Sequence, residues 1–264
     1  MKKLLLCIIS VLLIFACTTT PGTGRKRILL TSESQENKMG EDYYKEFLSK
    51  VEVTDDEHYK ILVKRVGERL AAAARKKYNW EYTVVEDDQI NAWALPGGKI
   101  CFYTGIMKIF DMEAEIAVVM GHEIAHVILR HGGERMTQGQ IVNVLGSAIA
   151  ALTEQQKSQE LFLGAYSGLS TVGVLLPFSR LHEYEADKTG TELMAKAGYD
   201  PMVAVGFWEK MAKLSRSSKK TPEFLSTHPA DNKRVAKLKE ILPGMYQYYN
   251  KATEKYEYGE KVNK

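Results

Sequence analysis

The stretch VVMGHEIAHVILRH, residues 118–131, places two histidines and a glutamate inside an apolar run. Buried cores rarely tolerate so many ionisable groups unless those groups are paired or bind a metal. We predict that the stretch belongs to one long helix, Glu113–His131. His122 and His126 are four residues apart, so on a helix their imidazoles lie on the same face, one turn apart.

Two nitrogens at that separation can bind one zinc ion at the roughly 2.0–2.1 Å of a zinc–imidazole bond. Glu123 follows the first histidine and can reach a water molecule on the metal, so the HExxH pattern is typical of a zinc hydrolase. The alternative is a chance arrangement on a wet helix face, with odds of roughly one in a hundred for a chain of this length. We therefore expect one Zn²⁺ per chain, bound in part by His122 and His126.

A catalytic zinc needs a third protein ligand and one open position. In the metzincin pattern the third ligand is a histidine that would fall on Gly132 here, and the glycine of that pattern would fall on Leu129. His131 lies about half a turn around the helix from His122. We expect it to be a helix-end residue that the helix dipole favours. A metzincin site is therefore excluded.

A carboxylate from a second helix is the other possible source of the third ligand. The stretch SRLHEYEADKTG, residues 179–190, carries Glu183 and Asp187 four residues apart, hence on one helix face. Glu183 can bind zinc while Asp187 accepts the ring N–H of a ligand histidine, which fixes the tautomer and orientation of that ring. The alternative is a solvated charged helix with pairs such as Tyr184–Lys188. Beside an HExxH motif we favour the zinc site.

The rest of the pattern indicates helices with a small sheet. WEYTVVED, residues 80–87, alternates as a strand does, and residues 90–105 are typical of two strands joined at Pro96-Gly97-Gly98. The predicted fold class is α+β: a mostly helical zincin-type (gluzincin) metallopeptidase domain with a small antiparallel sheet beside the active-site helix.

Further helices are expected at residues 180–197 and 201–214, and a last helix leads to an extended or frayed tail after Pro243. Residues 140–178 are mostly apolar and end in eighteen residues without a charge, which meets the lower limit for a membrane-spanning helix. Glycines and a proline interrupt this run. We therefore expect two buried or membrane-surface helices rather than a span.

The first seventeen residues, MKKLLLCIISVLLIFAC, form a signal sequence. Lysines precede an apolar run that is too short to span a bilayer comfortably, and the ending IFAC resembles a bacterial lipobox. We expect cleavage before Cys17 and lipidation of that cysteine, which supplies the several acyl chains that stable anchoring requires. The alternatives are an ordinary signal peptide or a short anchor with an incidental cysteine.

Thr18 stands where an aspartate would indicate retention at the inner membrane. By resemblance to sorted lipoproteins, we expect a cell-envelope lipoprotein at the outer membrane, facing the periplasm. The domain layout follows from these features: signal peptide 1–16, lipidated N terminus and tether 17–40, metallopeptidase domain 41–243, and C-terminal tail 244–264.

Composition narrows the class of protein. Hydrophobic residues make up 45% and charged residues 26% of the chain, as in an ordinary globular protein, and a net charge of +3 is too small to indicate nucleic acid. Cys101 is the only cysteine left once Cys7 leaves with the signal and Cys17 carries lipid, so no disulfide framework is expected in the mature chain.

Four segments in this order resemble the HtpX/CAAX-prenyl-protease class of zinc metallopeptidases, metallopeptidase family forty-eight. They are NAWALPGGKICFYTGIM (91–107), GHEIAHVILRH (121–131), FSRLHEYEADKTG (178–190) and FLSTHPADNKRV (224–235). The resemblance is closest to the soluble periplasmic lipoprotein and mitochondrial branches of the family. It implies that Glu183 is the third zinc ligand. It also implies that Asp187 does not bind zinc itself but hydrogen-bonds within the shell of residues around the ligands, in agreement with the spacing.

The resemblance also implies two residues that spacing does not indicate. His228 would lie over the zinc, and Arg234 would support it. His228 would either stabilise the tetrahedral oxyanion or occupy the fourth zinc position in a latent state. Without the resemblance, a histidine before a proline in a loop is more often structural.

The strand segment gains a role in the same way. In this family a similar strand pairs with an extended substrate through main-chain hydrogen bonds. A plain structural hairpin is the alternative. The residues that border this expected substrate-binding strand are Asn91, Ala92, Pro96, Gly97 and Gly98.

We therefore expect a membrane-anchored zinc endopeptidase that cleaves misfolded or unassembled envelope proteins through a zinc-bound water activated by Glu123. Its expected partners are extended or misfolded protein segments, and the membrane through Cys17. The competing hypothesis is a zinc-bound chaperone or assembly factor for outer-membrane proteins whose proteolysis is latched. A purely structural lipoprotein is disfavoured by the motif set. The oligomeric state stays open.

Overall fold

The computed structural model describes residues 17–152, 180–218 and 221–263 of the chain. The expected signal peptide at 1–16 and the uncharged run at 161–178 therefore lie outside the described residues.

The described residues form two compact units. The smaller unit contains residues 17–36 with the segment from Arg130, and the larger unit contains residues 37–129 with the segment from residue 180 onward. The strands are β1 Cys17–Thr19, β2 Lys26–Ile28, β3 Glu81–Val85, β4 Ala92–Leu95 and β5 Lys99–Tyr103. The helices are α1 Glu33–Leu48, α2 Glu57–Ala74, α3 Thr104–Met107, α4 Glu113–Ile128, α5 His131–Leu152, α6 Arg180–Lys196, α7 Met202–Ser217, α8 Glu223–Thr227 and α9 Asn232–Tyr249.

The smaller unit gives structure to a segment that was expected to be a tether. Strands β1 and β2 form an antiparallel hairpin. Arg25 donates to both carboxylate oxygens of Glu134 at 2.6 and 2.8 Å, and the backbone N–H of Leu30 donates to Thr137 Oγ1 at 2.9 Å. Within the segment expected to be a tether, residues 17–28 therefore contain a hairpin, and polar residues of the segment find partners on α5.

The three-stranded sheet of the larger unit has the order β3-β5-β4. The predicted hairpin is confirmed: β4 and β5 pair antiparallel, and Gly97 and Gly98 turn the chain with φ angles of 85° and 89°. The sheet is mixed, however, and not wholly antiparallel, because β3 pairs parallel with β5. The segment between Val85 and Ala92 returns the chain to the far side of β5, which leaves β4 at the edge.

Helix α4 forms the centre of the larger unit, and every residue from Glu113 to Val127 is buried. A helix that is buried all round lies inside a core rather than on it. Helix α6 approaches α4 closely where two glycines meet. A Cβ added to Gly121 would lie 2.8 Å from the carbonyl oxygen of Gly190, so only glycine permits this approach. The mostly helical fold class with a small sheet beside this helix is confirmed.

The end of α4 differs from the prediction. The helix ends at Ile128, and Arg130 adopts a left-handed φ of 57°, which stops helical propagation. His131 therefore begins α5 instead of ending α4, and it is fully buried.

The C-terminal tail is packed rather than frayed. Helix α9 continues through Pro243 to Tyr249. Beyond it, the carbonyl oxygens of Glu260 and Tyr258 accept the first backbone N–H groups of α4, from Glu113 at 2.8 Å and Ala114 at 3.0 Å. These N–H groups have no partner within their own helix, so the tail supplies one. The expectation of an extended or frayed tail is wrong for this reason.

Within the described residues, the longest apolar helices all fall short of what crossing a bilayer requires.

Candidate metal centre

Helix α4 places His122 and His126 one turn apart on a single face. Their Nε2 atoms lie 3.0 Å from each other, and both side chains are buried. Two imidazole nitrogens directed at the same point are the arrangement that the spacing predicts.

Helix α6 brings Glu183 and Asp187 to the same place, because Gly121 and Gly190 allow the two helices to approach. The carboxylate oxygens of Glu183 lie 3.5 Å from the Nε2 atoms of His122 and His126. The Oδ1 atom of Asp187 lies 3.0 Å from Nδ1 of His122. The four residues predicted from spacing are thus brought together by one helix pair.

His228 joins the group from the loop that follows α8. Its Nδ1 lies 3.1 Å from Nε2 of His122 and 3.2 Å from Oε1 of Glu183. In the described part of the chain, ligand atoms of four buried residues lie within 4.8 Å of one another; the residues are His122, His126, Glu183 and His228. The histidine that only the resemblance indicated is therefore part of the donor group itself.

Arg234, on α9, connects the two carboxylates of α6. It donates to both oxygens of Asp187 at 2.8 and 2.6 Å, and its Nη1 lies 2.8 Å from Oε2 of Glu183. The guanidinium also stacks over the indole of Trp208, with 3.7 Å from Cζ to the ring centroid. Its Nη1 also donates to the carbonyl oxygen of Pro229, the residue after His228, at 3.0 Å, so the guanidinium contacts both carboxylates and the loop that carries His228.

The charges of the site are mutually compensated. Burial alone would raise the pKa of Glu183 and Asp187, but His228 and Arg234 beside Glu183, and Arg234 beside Asp187, hold both values below the ordinary range. Burial lowers the pKa of His122, and hydrogen bonds with Asp187 and Glu183 outweigh it and raise the pKa to about 9. Each of these two carboxylates thus lies beside a cationic or imidazole side chain.

Glu123 differs from the other two carboxylates. Burial raises its pKa, and no described residue donates a hydrogen bond to its Oε1. The Nε2 atom of His228 lies 3.3 Å from Oε1 without hydrogen-bond geometry, and the positive charge of a protonated His228 and the backbone of Ala94 in β4 oppose the rise in the pKa of Glu123. A buried carboxylate oxygen without a donor is a place where a further polar molecule can bind.

The donor set fits zinc. Imidazole nitrogens with one carboxylate are ligands that zinc prefers, whereas calcium and magnesium require oxygen ligands. The donor atoms are buried and converge, and a second layer of hydrogen bonds orients them, as metal sites require. A catalytic zinc uses three protein ligands, so a group of four donors includes one more than such a site needs.

Strand β4, the expected substrate-binding strand, packs against α4, the helix that carries His122 and His126. The backbone N–H of Tyr103 donates to the carbonyl oxygen of Asn91 at 3.2 Å. Hydrogen-bond direction alternates along an antiparallel pair, so Ala92 and Ala94 direct their backbone groups to the outer edge of β4, which pairs with no other strand in the described part of the chain. The Pro96-Gly97-Gly98 turn closes the hairpin at the far end.

Other residues that were considered fall outside the donor group. His131 begins α5, and His182 and Glu185 are buried on α6 but do not belong to the group. Cys17 is the first residue of β1. Sequence reasoning missed Trp208, whose ring packs 5.5 Å from that of His122. No local spacing relates it to the motif, so no sequence signal could have identified it.

Comparison with known proteins gives a consistent result. Residues 59–242 match the model of Peptidase family M48. The chain is similar to the mitochondrial metalloendopeptidase OMA1 of Schizosaccharomyces pombe, with 35% identity over 227 residues that cover 84% of this chain and 66% of that protein.

Two further relatives are the beta-barrel assembly-enhancing protease of Escherichia coli and the mitochondrial metalloendopeptidase OMA1 of Arabidopsis thaliana. The first is 30% identical over 225 residues, covering 83% of this chain and 46% of the relative. The second is 38% identical over 184 residues, covering 69% and 36%. The chain thus spans less than two thirds of the length of each of these relatives.

Proposed function

This chain belongs to peptidase family M48, and from that premise we propose that it is a zinc-dependent endopeptidase. The observation that carries the proposal is the convergence of buried donor atoms within 4.8 Å of one another, with the raised-pKa carboxylate of Glu123 beside them.

His122, His126 and Glu183 would hold one zinc ion per chain. When bound, zinc supplies Lewis acidity that lowers the pKa of a water molecule and polarises the scissile carbonyl. Asp187 accepts the Nδ1–H of His122, which leaves the Nε2 lone pair directed at the donor group. Arg234 holds the Asp187 carboxylate in the required orientation.

Glu123 acts as the general base in this proposal. It accepts the proton of the attacking water and passes that proton to the leaving amine. Burial raises the pKa of Glu123, which makes its carboxylate a stronger base than an exposed glutamate. Its Oε1 accepts no hydrogen bond from the described residues and can therefore accept this proton.

Substrate would pair as an extended strand with the free edge of β4. Ala92 and Ala94 direct backbone groups to that edge, and β4 packs against α4, which carries Glu123, so a paired segment would pass beside the general base. Strand addition recognises the main chain, which suits extended or misfolded segments. The hairpin residues Asn91, Pro96, Gly97 and Gly98 would act by shaping this edge.

The position of His228 favours a second candidate, a latched form of the enzyme. Its Nδ1 is 3.1 Å from Nε2 of His122, within the donor group. A fourth protein ligand would fill the position that a catalytic zinc leaves open. In this form the chain would act as a zinc-bound chaperone or assembly factor until the loop moves. If His228 instead leaves the group when substrate binds, it can stabilise the oxyanion, with Arg234 behind it.

We further propose that the chain is a lipoprotein, anchored through Cys17 in the outer membrane and facing the periplasm. The lipobox-like ending of residues 14–17 supports this placement. One relative is named for beta-barrel assembly, which supports misfolded or unassembled envelope proteins as substrates, whereas others are named mitochondrial. Labelling with radioactive palmitate and membrane fractionation of wild type and Cys17→Ala would decide between these placements.

Activity is tested on the purified protein. Bound zinc is measured by mass spectrometry, and cleavage of casein is compared between wild type and Glu123→Gln. We expect about one zinc in both and a loss of at least 10²-fold in cleavage for the variant. Stoichiometric zinc without cleavage by wild type would refute the plain protease.

The latch is tested separately with His228→Ala. Removal of an inhibitory fourth ligand would increase casein cleavage above that of wild type. A decrease in kcat with normal zinc content would instead support stabilisation of the oxyanion by His228.

A further inference from the structure

Strand β4 has two chemically different faces. Its sequence is Ala-Trp-Ala-Leu, residues 92–95, and successive side chains of a strand point to opposite faces of the sheet. Ala92 and Ala94 therefore lie on one face, and Trp93 and Leu95 lie on the other. One face of this edge strand is lined by methyl groups and the other by large apolar side chains.

The alanine face is the side of the proposed reaction. Ala92 is buried in the main core cluster that also contains residues 116–120 of α4, and strand β4 packs against α4, the helix that carries Glu123. These alanine side chains are small and offer substrate side chains no large apolar partner on this face. The alanines therefore impose little selection where Glu123 meets the substrate.

The opposite face is built around Trp93. Its indole packs edge-to-face against Phe47, with ring centroids 4.9 Å apart, and against Tyr44 at 6.3 Å. The indole N–H donates to the hydroxyl of Tyr103 at 3.2 Å. Trp93 is thus held in one orientation while it remains partly exposed, and Leu95 beside it is also partly exposed.

A substrate strand on this edge would present its side chains to the two faces in turn. The backbone groups of Ala92 and Ala94 point to the outer edge, so a substrate strand can form hydrogen bonds with these two residues. Its own side chains then alternate between the alanine face and the Trp93 face of the sheet. Every second substrate side chain would then lie across from Trp93 or Leu95. Apolar cross-strand pairs of this kind each improve affinity by roughly 1.4- to five-fold.

We propose that Trp93 and Leu95 select substrate segments with apolar residues at every second position, that is, unpaired amphipathic β-strands. This inference rests on the proposed endopeptidase function and gives its substrate class. Selection comes from the order of residues along the segment and not from composition, because only alternation places each apolar side chain on the Trp93 face.

Two quenched fluorescent peptides of identical composition test the proposal. One alternates valine and threonine, and the other has the same valines and threonines in two blocks; both carry terminal lysines for solubility. For wild type we expect a KM about five-fold lower for the alternating peptide, with kcat equal within two-fold. Trp93→Ala and Leu95→Ser should each reduce this KM difference, and Trp93→Phe should keep it.

Folding and binding are controlled independently of turnover. Ile61→Ala removes another apolar side chain, 56% exposed on α2, and should leave the preference unchanged. Affinity of both peptides for Glu123→Gln, measured by fluorescence anisotropy, should show the same preference, and it should disappear when Trp93→Ala is added. If the Trp93→Ala variant does not fold, the two peptides are compared with the Leu95→Ser variant instead.

The outcomes separate this inference from the proposed function. Equal KM values for both peptides in wild type, or a preference that persists in both Trp93→Ala and Leu95→Ser, would overturn the selection and leave the endopeptidase intact. Absence of cleavage of the peptides and of casein by zinc-loaded wild type would overturn both proposals.

Discussion

Arg234 donates hydrogen bonds to both carboxylate oxygens of Asp187, at 2.8 Å from Nε and 2.6 Å from Nη2. Both side chains are almost fully buried. Such a bidentate pair fixes the plane of the carboxylate. Because Asp187 in turn holds Nδ1 of His122, the orientation of a proposed zinc ligand on α4 is decided by a residue on α9.

Replacing Arg234 should be severely destabilising. Arg234→Ala leaves the buried carboxylates of Asp187 and Glu183 without their cation, which costs about 3–5 kcal/mol of unfolding free energy. Arg234→Lys keeps the positive charge but cannot form the bidentate pair, so we expect a smaller decrease in the free energy of unfolding. Urea unfolding measures both, and Lys237→Ala, an exposed change on the same helix, should stay within about 0.5 kcal/mol of wild type.

Asp187→Asn should weaken zinc binding more than folding. The amide keeps the shape of the side chain but loses the charge that orients and polarises His122, and such changes lower metal affinity about 10- to 100-fold. Competition against a chelator of known affinity measures the change. Glu192→Gln, on the solvent side of α6 and paired with Lys196, is the matched control. Equal zinc affinities for the two variants would contradict this role.

Gly121→Ala should push α4 away from α6. The added Cβ would lie 2.8 Å from the carbonyl oxygen of Gly190, so backbone must move, at a cost of about 1–3 kcal/mol. Gly206→Ala on α7 meets no atom within 4 Å and should stabilise by about 0.5–1 kcal/mol. Thermal unfolding of both variants is the measurement, and zinc affinity should fall only for Gly121→Ala.

Glu113 should make stability depend on pH. Burial raises the pKa of Glu113, but hydrogen bonds from Tyr199 and Arg65 outweigh it, so the folded value lies below the ordinary one. The ionised Glu113 therefore stabilises the fold at pH values above its unfolded-state pKa of about 4.3. This contribution to stability is lost as the pH falls toward the lower pKa of the folded state.

The difference in unfolding free energy between wild type and Glu113→Gln isolates this effect. We expect the difference to be constant between about pH 7 and pH 5.5 and to shrink below about pH 4.3. Urea titrations at a series of pH values measure it. A difference that stays unchanged down to pH 3 would show that the Glu113 charge does not contribute.

The C-terminal tail should be needed for stability. Val262 is 1% exposed and belongs to the core cluster around α4. Val262→Ser removes this buried apolar side chain and introduces a hydroxyl group. We therefore expect the free energy of unfolding to fall by about 2 kcal/mol. Lys261→Ser changes the adjacent exposed residue and should have little effect. Comparable unfolding curves for the two variants would mean that the tail does not contribute to the core.

Much of the candidate site was predictable from local spacing. Residues four apart on a helix share a face whatever surrounds the helix, so His122 and His126, and separately Glu183 and Asp187, could be paired from sequence. The hairpin at Gly97 and Gly98 was predictable for a similar reason, because the turn is a local feature.

Errors arose where local signals depend on long-range contacts. The polar composition of residues 17–40 indicated a tether, and the sequence did not show that Arg25 pairs with Glu134, more than a hundred positions away. The Tyr- and Lys-rich tail looked unstructured, yet its carbonyls complete the first turn of α4. In each case the partner that orders the segment is not visible in the segment itself.

The sequence by itself determined which side chains share a helix face, where the β4–β5 hairpin turns, and that a carboxylate on a second helix could complete the donor set. Only the tertiary structure decided that His228 lies inside that donor set, that Arg234 holds Asp187, and that β4 is an edge strand beside Glu123. The physical reason is that periodicity orients residues within one element, whereas these relationships depend on how separate elements pack. Gly121 and Gly190 have no side chains, so α4 and α6 can approach closely where these residues meet. This contact brings His122 and His126 of α4 together with the carboxylates of α6.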